Sequence, residues 1–207
     1  MDNPFRGRLN AAGLDLIDGL MHRVYGPRKE RLFDGDPSRV VEIGPGVGAN
    51  FRYYAAGTQV VGIEPSPGMH GRLRRRARSR DLDLDLVAAH AEELPLETGS
   101  EEWVVGTLVL CTVGSPEAAL SEIVRILRPG GRFVFIEHVA AAPHSALGAV
   151  QRGLRRPWRW MFEGCTLDRR TLQRIEAAGF REVRAERFTV GGGLLPVSPH
   201  VGGIAVR

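Results

Sequence analysis

Lysine is all but missing from this chain: Lys29 is the only one among 28 basic residues, the rest being arginine. The bias reads as that of a GC-rich coding sequence and carries no function by itself. Cysteine is nearly as scarce, and Cys111 and Cys165 make no disulfide framework, which predicts a reducing compartment. Separated by about 54 positions, with no histidine cluster beside them, they also lack metal-site spacing and predict no metal. Cys111 reads as packing and Cys165 as a pocket wall. No apolar run approaches the roughly 20 residues needed to span a bilayer, and no signal peptide opens the chain. There is no internal repeat and no low-complexity segment. These absences argue against a disulfide scaffold, a membrane-spanning protein and a repeat array, and predict a soluble, cytoplasmic protein. What remains is of ordinary globular composition, with 43% hydrophobic and 25% charged residues over 207 positions, enough for one domain with a full core. A net charge of +4 admits an anionic partner without requiring one.

Strand and helix signals alternate. Helical spacing of Leu9, Leu14, Ile17, Met21 and Tyr25 predicts a helix over 9–25, ended by Gly26-Pro27, with a second short helix from Arg28 to Phe33. Strands are expected at 39–43, 59–64, 84–89, 103–110 and 132–138, and helices at 68–80 and 117–127, with Arg128 to Gly131 as a turn. This alternation predicts an α/β fold with a doubly wound, mostly parallel sheet. Residues 139–166 break the pattern and are expected to form a lid or substrate roof. A helix at 168–178 and strands at 180–188 and 200–206 follow, these last two joined too closely for a helix and therefore antiparallel. The whole is expected to be one domain: an N-terminal helical lid (1–33), a cofactor-binding core (34–138) and a substrate-side region (139–207).

The chemistry gathers at Val40-Val-Glu-Ile-Gly-Pro-Gly-Val-Gly-Ala-Asn50. A buried strand opens into Gly44, Gly46 and Gly48, which let the backbone approach a ligand. Asn50-Phe51 is expected to begin a helix whose N-terminus faces an anionic group, and Glu42 adds a fixed negative charge. Gly44-x-Gly46-x-x-Ala49, with Glu64 about 20 residues on, also satisfies the dinucleotide fingerprint. On the glycines alone, NAD and S-adenosylmethionine both remain open.

Four stretches tilt the choice: Glu42-x-Gly44-x-Gly46-x-Gly48, Glu64-Pro-Ser-Pro-Gly-Met69, Ala91-Glu-Glu-Leu-Pro95 and Arg125-Ile-Leu-Arg-Pro-Gly-Gly131. With them the chain resembles the class I S-adenosylmethionine-dependent methyltransferases, which implies a seven-stranded Rossmann-like sheet with an antiparallel last strand. Gly48-Ala-Asn-Phe51, Thr107 to Val113, Glu137-His-Val-Ala140, Glu163-Gly-Cys165 and Leu195 to His200 look like the animal microsomal alkyl-thiol methyltransferases. The N-terminus departs from that pattern, since the hydrophobic anchor of those proteins is not seen here. The resemblance implies methyl transfer from S-adenosylmethionine to a small, largely apolar acceptor, with a thiol favoured. Acceptance by oxygen, nitrogen or carbon of a quinone, lipid or metabolite is the alternative, and a protein that binds the cofactor without catalysis is a third.

The same resemblance implies the cofactor residues. Glu64 is expected at the ribose, Gly44, Gly46 and Gly48 at the amino-acid end, and Glu42 with Asn50 at the loop and its bound ammonium. Pro65 and Met69 are expected on the adenine, and Ala91 and Glu92 at its amino edge, where His90 stands in place of the usual acid. Thr107, Leu108 and Val109 are expected to face the sulfonium, and Tyr25 to close over the cofactor. His138 is the first candidate for a general base and His200 the second. The arginine run from Arg72 to Arg80 reads as a solvated face. It is open to peripheral contact with anionic lipid, but no aromatic pattern suggests nucleic acid.

Overall fold

Val40, Val41 and Ile43 in one strand, and Val60, Val61 and Ile63 in the next, are buried on both faces. Such continuous apolar runs suit the middle of a parallel sheet covered by helices, and each of these side chains contributes about 1.5–3 kcal/mol on burial. The computed structural model describes residues 4–191 and 196–207. The strands are β1 (Arg39–Ile43), β2 (Gln59–Ile63), β3 (Asp83–Val87), β4 (Glu101–Thr107), β5 (Leu127–His138), β6 (Glu182–Thr189) and β7 (Pro199–Val206). They form one seven-stranded sheet in the order β3-β2-β1-β4-β5-β7-β6. β1 to β5 are parallel, and β7 runs antiparallel between β5 and β6.

The helices are α1 (Pro4–Leu32), α2 (Pro67–Ser79), α3 (Pro116–Ile126), α4 (Ala146–Met161) and α5 (Thr171–Ala177). α3 lays Leu120, Ile123 and Ile126 against Val104, Phe133 and Phe135, and Ile175 of α5 joins the same cluster. The opposite sheet face packs Val40, Trp103, Val105 and Val134 around Phe33. Since β1 is flanked by β2 and β4, the strand order reverses between β1 and β4, and their carboxyl ends form the crevice where such sheets bind ligands.

Several expectations are corrected. α1 does not stop at Gly26-Pro27 but runs through it for 29 residues with Pro27 inside. The proline removes one intrahelical bond, and tertiary contacts on both sides of it hold the helix together. Asn50-Phe51 opens no α-helix, only a three-residue 3-10 turn, Phe51–Tyr53, too short to offer a helix-terminus anion site. Arg128 to Gly131 lies within the β5 run, where the pairing to β4 shifts register and Gly130 keeps a turn-like φ of +81°. The α2 arginines are not simply solvated: Arg72, Arg75 and Arg76 lie 3.6, 3.7 and 2.6 Å from Asp15 of α1. Asp18 pairs with Arg76 at 3.4 Å and with Arg52. Within 139–166 the chain forms α4, most of it exposed, tied down by Gln151, which donates to the carbonyls of Val139 (3.2 Å) and Pro196 (2.8 Å). Among the described residues no helix is long and apolar enough to cross a membrane. The expected glycine loop 191–193 and Leu195 lie largely outside the described residues.

Candidate active site

At the end of β1 the chain turns through Gly44, Gly46 and Gly48, all at positive φ (+61°, +57° and +82°). A Cβ on Gly44 would stand 2.5 Å from Val109 Cγ2, so this glycine is required by the close approach of the loop after β4. A Cβ on Gly46 would meet nothing within 4 Å. That position faces open space, where a ligand's polar end can come against the backbone. Glu64, at the end of β2, reaches across: its carboxylate accepts from the amides of Gly46 (3.0 Å) and Ser66 (2.9 Å). Burial raises its pKa, and those two amides oppose the rise. His70 hydrogen-bonds the Glu64 carbonyl at 2.8 Å and so steadies the turn into α2.

Beneath the loop lies a buried polar knot. Glu42 accepts from Asn50 Nδ2 at 2.8 Å and from the Tyr54 hydroxyl at 2.7 Å, and Asn50 Nδ2 also donates to Thr107 Oγ1 at 2.9 Å. Lys29 Nζ donates to Asn50 Oδ1 at 2.5 Å. Removing these charges from water pushes the Glu42 carboxyl up to about 7 and the Lys29 ammonium down to about 8, each partly restored by the other's charge. The single lysine, silent in the sequence, is thus the cation of this knot, brought there by the continuity of α1.

α1 spans the crevice. Gly7 comes close to Ser66 and Glu163, Ala11 packs with Val47 and Met69, and Tyr25 reaches His200. Met69 is therefore buried beside the glycine loop, while Pro65 is exposed at the turn into α2. Ala91 is buried, but the Glu92 carboxylate is engaged by the amides of Gly114 (2.7 Å) and Ser115 (3.1 Å) ahead of α3, away from the loop.

The loop after β4 forms the other wall. Leu108 sits at φ +56°, a conformation that is strained for a branched side chain. The Val109 and Leu110 amides both donate to Glu137 Oε1 at 2.8 Å, and burial pushes the Glu137 carboxyl up to about 7. His138 and His200 are cross-strand partners with ring centroids 6.3 Å apart. His200 donates from Nδ1 to the Ser198 carbonyl at 3.1 Å, so its Nε2 accepts the Tyr25 hydroxyl proton at 2.8 Å. Burial holds His200 down at about 4, so it is neutral at pH 7.

His138 Nε2 lies 3.1 Å from Cys165 Sγ, and Trp158 Nε1 donates to the same sulfur at 3.3 Å. Cys111, His138 and Cys165 bring one sulfur or nitrogen each to within 4.8 Å of one another. Sequence spacing missed this group because its members come from three separate elements. Pairing of the two sulfurs pushes the Cys111 thiol up and the Cys165 thiol down, the latter helped by His138.

Comparison with known proteins agrees with this geometry. A family profile described as "Methyltransferase domain" matches residues 41–135. The chain is 39% identical over 202 residues to the thiol S-methyltransferase TMT1B of Rattus norvegicus, covering 96% of this chain and 83% of the relative. It is 37% identical over 171 residues to human thiol S-methyltransferase TMT1A, covering 81% and 70%. Among solved structures, a methyltransferase of Thermotoga maritima described as a possible histamine N-methyltransferase superposes with a TM-score of 0.68 at 22% identity, covering 98% of each chain. The glycine cradle and the acid at the end of β2 suit either cofactor; the antiparallel β7 and the methyltransferase relatives make it S-adenosylmethionine rather than NAD. The chain belongs to the S-adenosylmethionine-dependent methyltransferases, in the family of the thiol S-methyltransferases.

Proposed function

We propose that this enzyme S-methylates a small, largely apolar thiol in the cytoplasm as a single-domain protein. The observation that carries the thiol is the likeness to thiol S-methyltransferases over 96% of the chain, substrate-side residues included. The apolar character is supported by Trp158 and Phe162, whose rings lie 4.2 Å apart beside Cys165. Two buried, free cysteines suit a reducing compartment.

Bound S-adenosylmethionine supplies a methyl group on a positively charged sulfonium. The protein's share is alignment and exclusion of water. Glu64 holds the ribose hydroxyls; an ionised carboxylate has about four lone-pair sites, so the amides of Gly46 and Ser66 can stay bound. Glu42 and Asn50 organise the loop around the cofactor's ammonium, and Gly44, Gly46 and Gly48 keep the way clear. Met69 and Pro65 border the adenine, with Ala91 at its edge and Glu92 bracing that segment from α3. Thr107, Leu108 and Val109 form the wall facing the sulfonium, and α1 with Tyr25 is the lid.

A thiol of pKa about 8.5 is partly ionised at pH 7, so little proton transfer is asked of the protein. His200, neutral and with both nitrogens engaged, orients Tyr25. His138 is then the side chain that meets the acceptor sulfur. The test is to incubate the purified protein with S-adenosylmethionine and matched alkyl thiols, phenols and quinols. Methyl thioether and S-adenosylhomocysteine in equal amounts from the thiols support the proposal, and methylation confined to oxygen or carbon acceptors refutes it.

A further inference from the structure

Two thiols and an imidazole are the soft sulfur–nitrogen donor set that zinc takes. We propose that Cys111, His138 and Cys165 form a zinc site with one open position. In a tetrahedral site with metal–sulfur near 2.3 Å and metal–nitrogen near 2.0 Å, neighbouring donors lie about 3.5–3.8 Å apart. All three donor atoms here are within 4.8 Å of one another, so closing on an ion takes movements of about 1 Å.

The surroundings are built to hold the donors in place. The Thr166 amide donates to the Cys111 carbonyl at 2.8 Å, pinning the Cys165 segment to the loop after β4. The Cys165 amide is itself bonded to the Phe162 carbonyl at 2.9 Å. Arg169 donates to the carbonyls of Leu110 (2.5 Å) and Val113 (2.7 Å) on either side of Cys111. The Trp158 N–H aimed at Cys165 Sγ is the kind of outer-shell donor that a metal-bound thiolate accepts. A Cys111–Cys165 disulfide would need neither the imidazole nor the indole, yet both point at the sulfur.

Three protein donors leave a fourth position, the arrangement of reactive rather than structural zinc. It lies at the carboxyl end of β4, which also carries Thr107 and Leu108 on the cofactor side. What fills it rests on the thiol reading above. An acceptor thiol binds there as thiolate: its S–H bond breaks as the sulfur–zinc bond forms, the proton leaves to water, and no electrons change hands. His138 then meets the acceptor through the metal.

The test uses the whole purified chain without cofactor. After dialysis against metal-free buffer, emission spectrometry should find one zinc per chain, and cobalt(II) replacing it should give intense sulfur-to-metal absorption. Trp158→Phe, which leaves the donors intact, should weaken metal binding about 10–100-fold. Cys111→Ser and Cys165→Ser should each weaken it further and diminish the sulfur-to-metal band, and the double variant should remove it. A protein that takes up no zinc and gives no such band overturns the site, as does a band unchanged in Cys165→Ser or surviving in the double variant, or a mass showing the two cysteines joined. Adding an alkanethiol should shift the cobalt spectrum; a spectrum that ignores it while thioether still forms overturns the open position. Failure of the thiol reading looks different: metal is bound, but no thiol yields thioether.

Discussion

Glu64 and Glu42 are both buried carboxylates near the glycine loop, but they do different work. In the proposed function Glu64 meets the cofactor's ribose, so Glu64→Ala should weaken S-adenosylmethionine binding by roughly 2–3 kcal/mol, the loss of charge-assisted hydrogen bonds; unchanged affinity in calorimetric titration would rule the role out. Glu42 senses pH. Its folded-state pKa is raised from 4.5 to about 7 by burial. The stabilisation linked to its proton is therefore fully present below about 4.5 and lost as pH rises through about 7. Relative to Glu42→Gln, the cofactor-free protein should lose about 3 kcal/mol across that window, as measured by denaturant melts. Cofactor affinity should move oppositely, tightening between pH 6 and 8 as the carboxylate ionises, and a flat profile would remove Glu42 from the ammonium site. Both acids stood out in the sequence because each lies at or near the end of an apolar strand that runs into glycine or proline. Lys29 and Tyr54 were not, because nothing local marks a residue whose partner arrives from another element.

At the scale of the element, α1 is the main surprise. Gly26-Pro27 is a strong local stop signal, and it is overridden by contacts far apart along the helix: Asp15 and Asp18 against the arginines of α2 and Arg52, then Tyr25 against His200. Those ion pairs are only partly buried, and individually such pairs contribute about 0–1 kcal/mol. With α1 acting as the proposed lid, replacing Asp15 and Asp18 together by asparagine should loosen it more than it unfolds the domain. We expect cofactor binding to weaken by about 1–2 kcal/mol with a smaller change in overall stability. Raised ionic strength should weaken wild-type binding and leave the double variant less affected. Equal losses in binding and in stability would make α1 part of the core instead. The cysteine–histidine group was illegible for a related reason: Cys111 follows β4, His138 ends β5 and Cys165 follows α4, and only the tertiary fold brings these ends together.

For the whole molecule the sequence was a good guide. Apolar runs located every strand, most to within a few residues although β5 begins five residues earlier than expected, and the short link between the last two required their antiparallel pairing. The position of β7 between β5 and β6 was not foreseen, because no local signal records which neighbours a strand chooses. That placement rests on Gly203, where a Cβ would stand 2.0 Å from the Arg184 carbonyl oxygen and 2.8 Å from Ala185 Cα. Both obstacles are backbone, so they cannot swing aside. Gly203→Ala should destabilise the fold by about 3 kcal/mol or more, read as a lowered midpoint in chemical denaturation. An unshifted midpoint would mean that the β6–β7 edge is looser than drawn.

The solitary lysine, on the buried side of α1, has a practical consequence. An amine-directed reagent finds only one side chain to modify in the whole sequence, and that one is 8% exposed and bonded to Asn50. Acylation at Lys29, followed by mass spectrometry, therefore times how often the helix lifts, without any engineered label. Saturating S-adenosylhomocysteine should slow that reaction if the helix closes over the bound ligand.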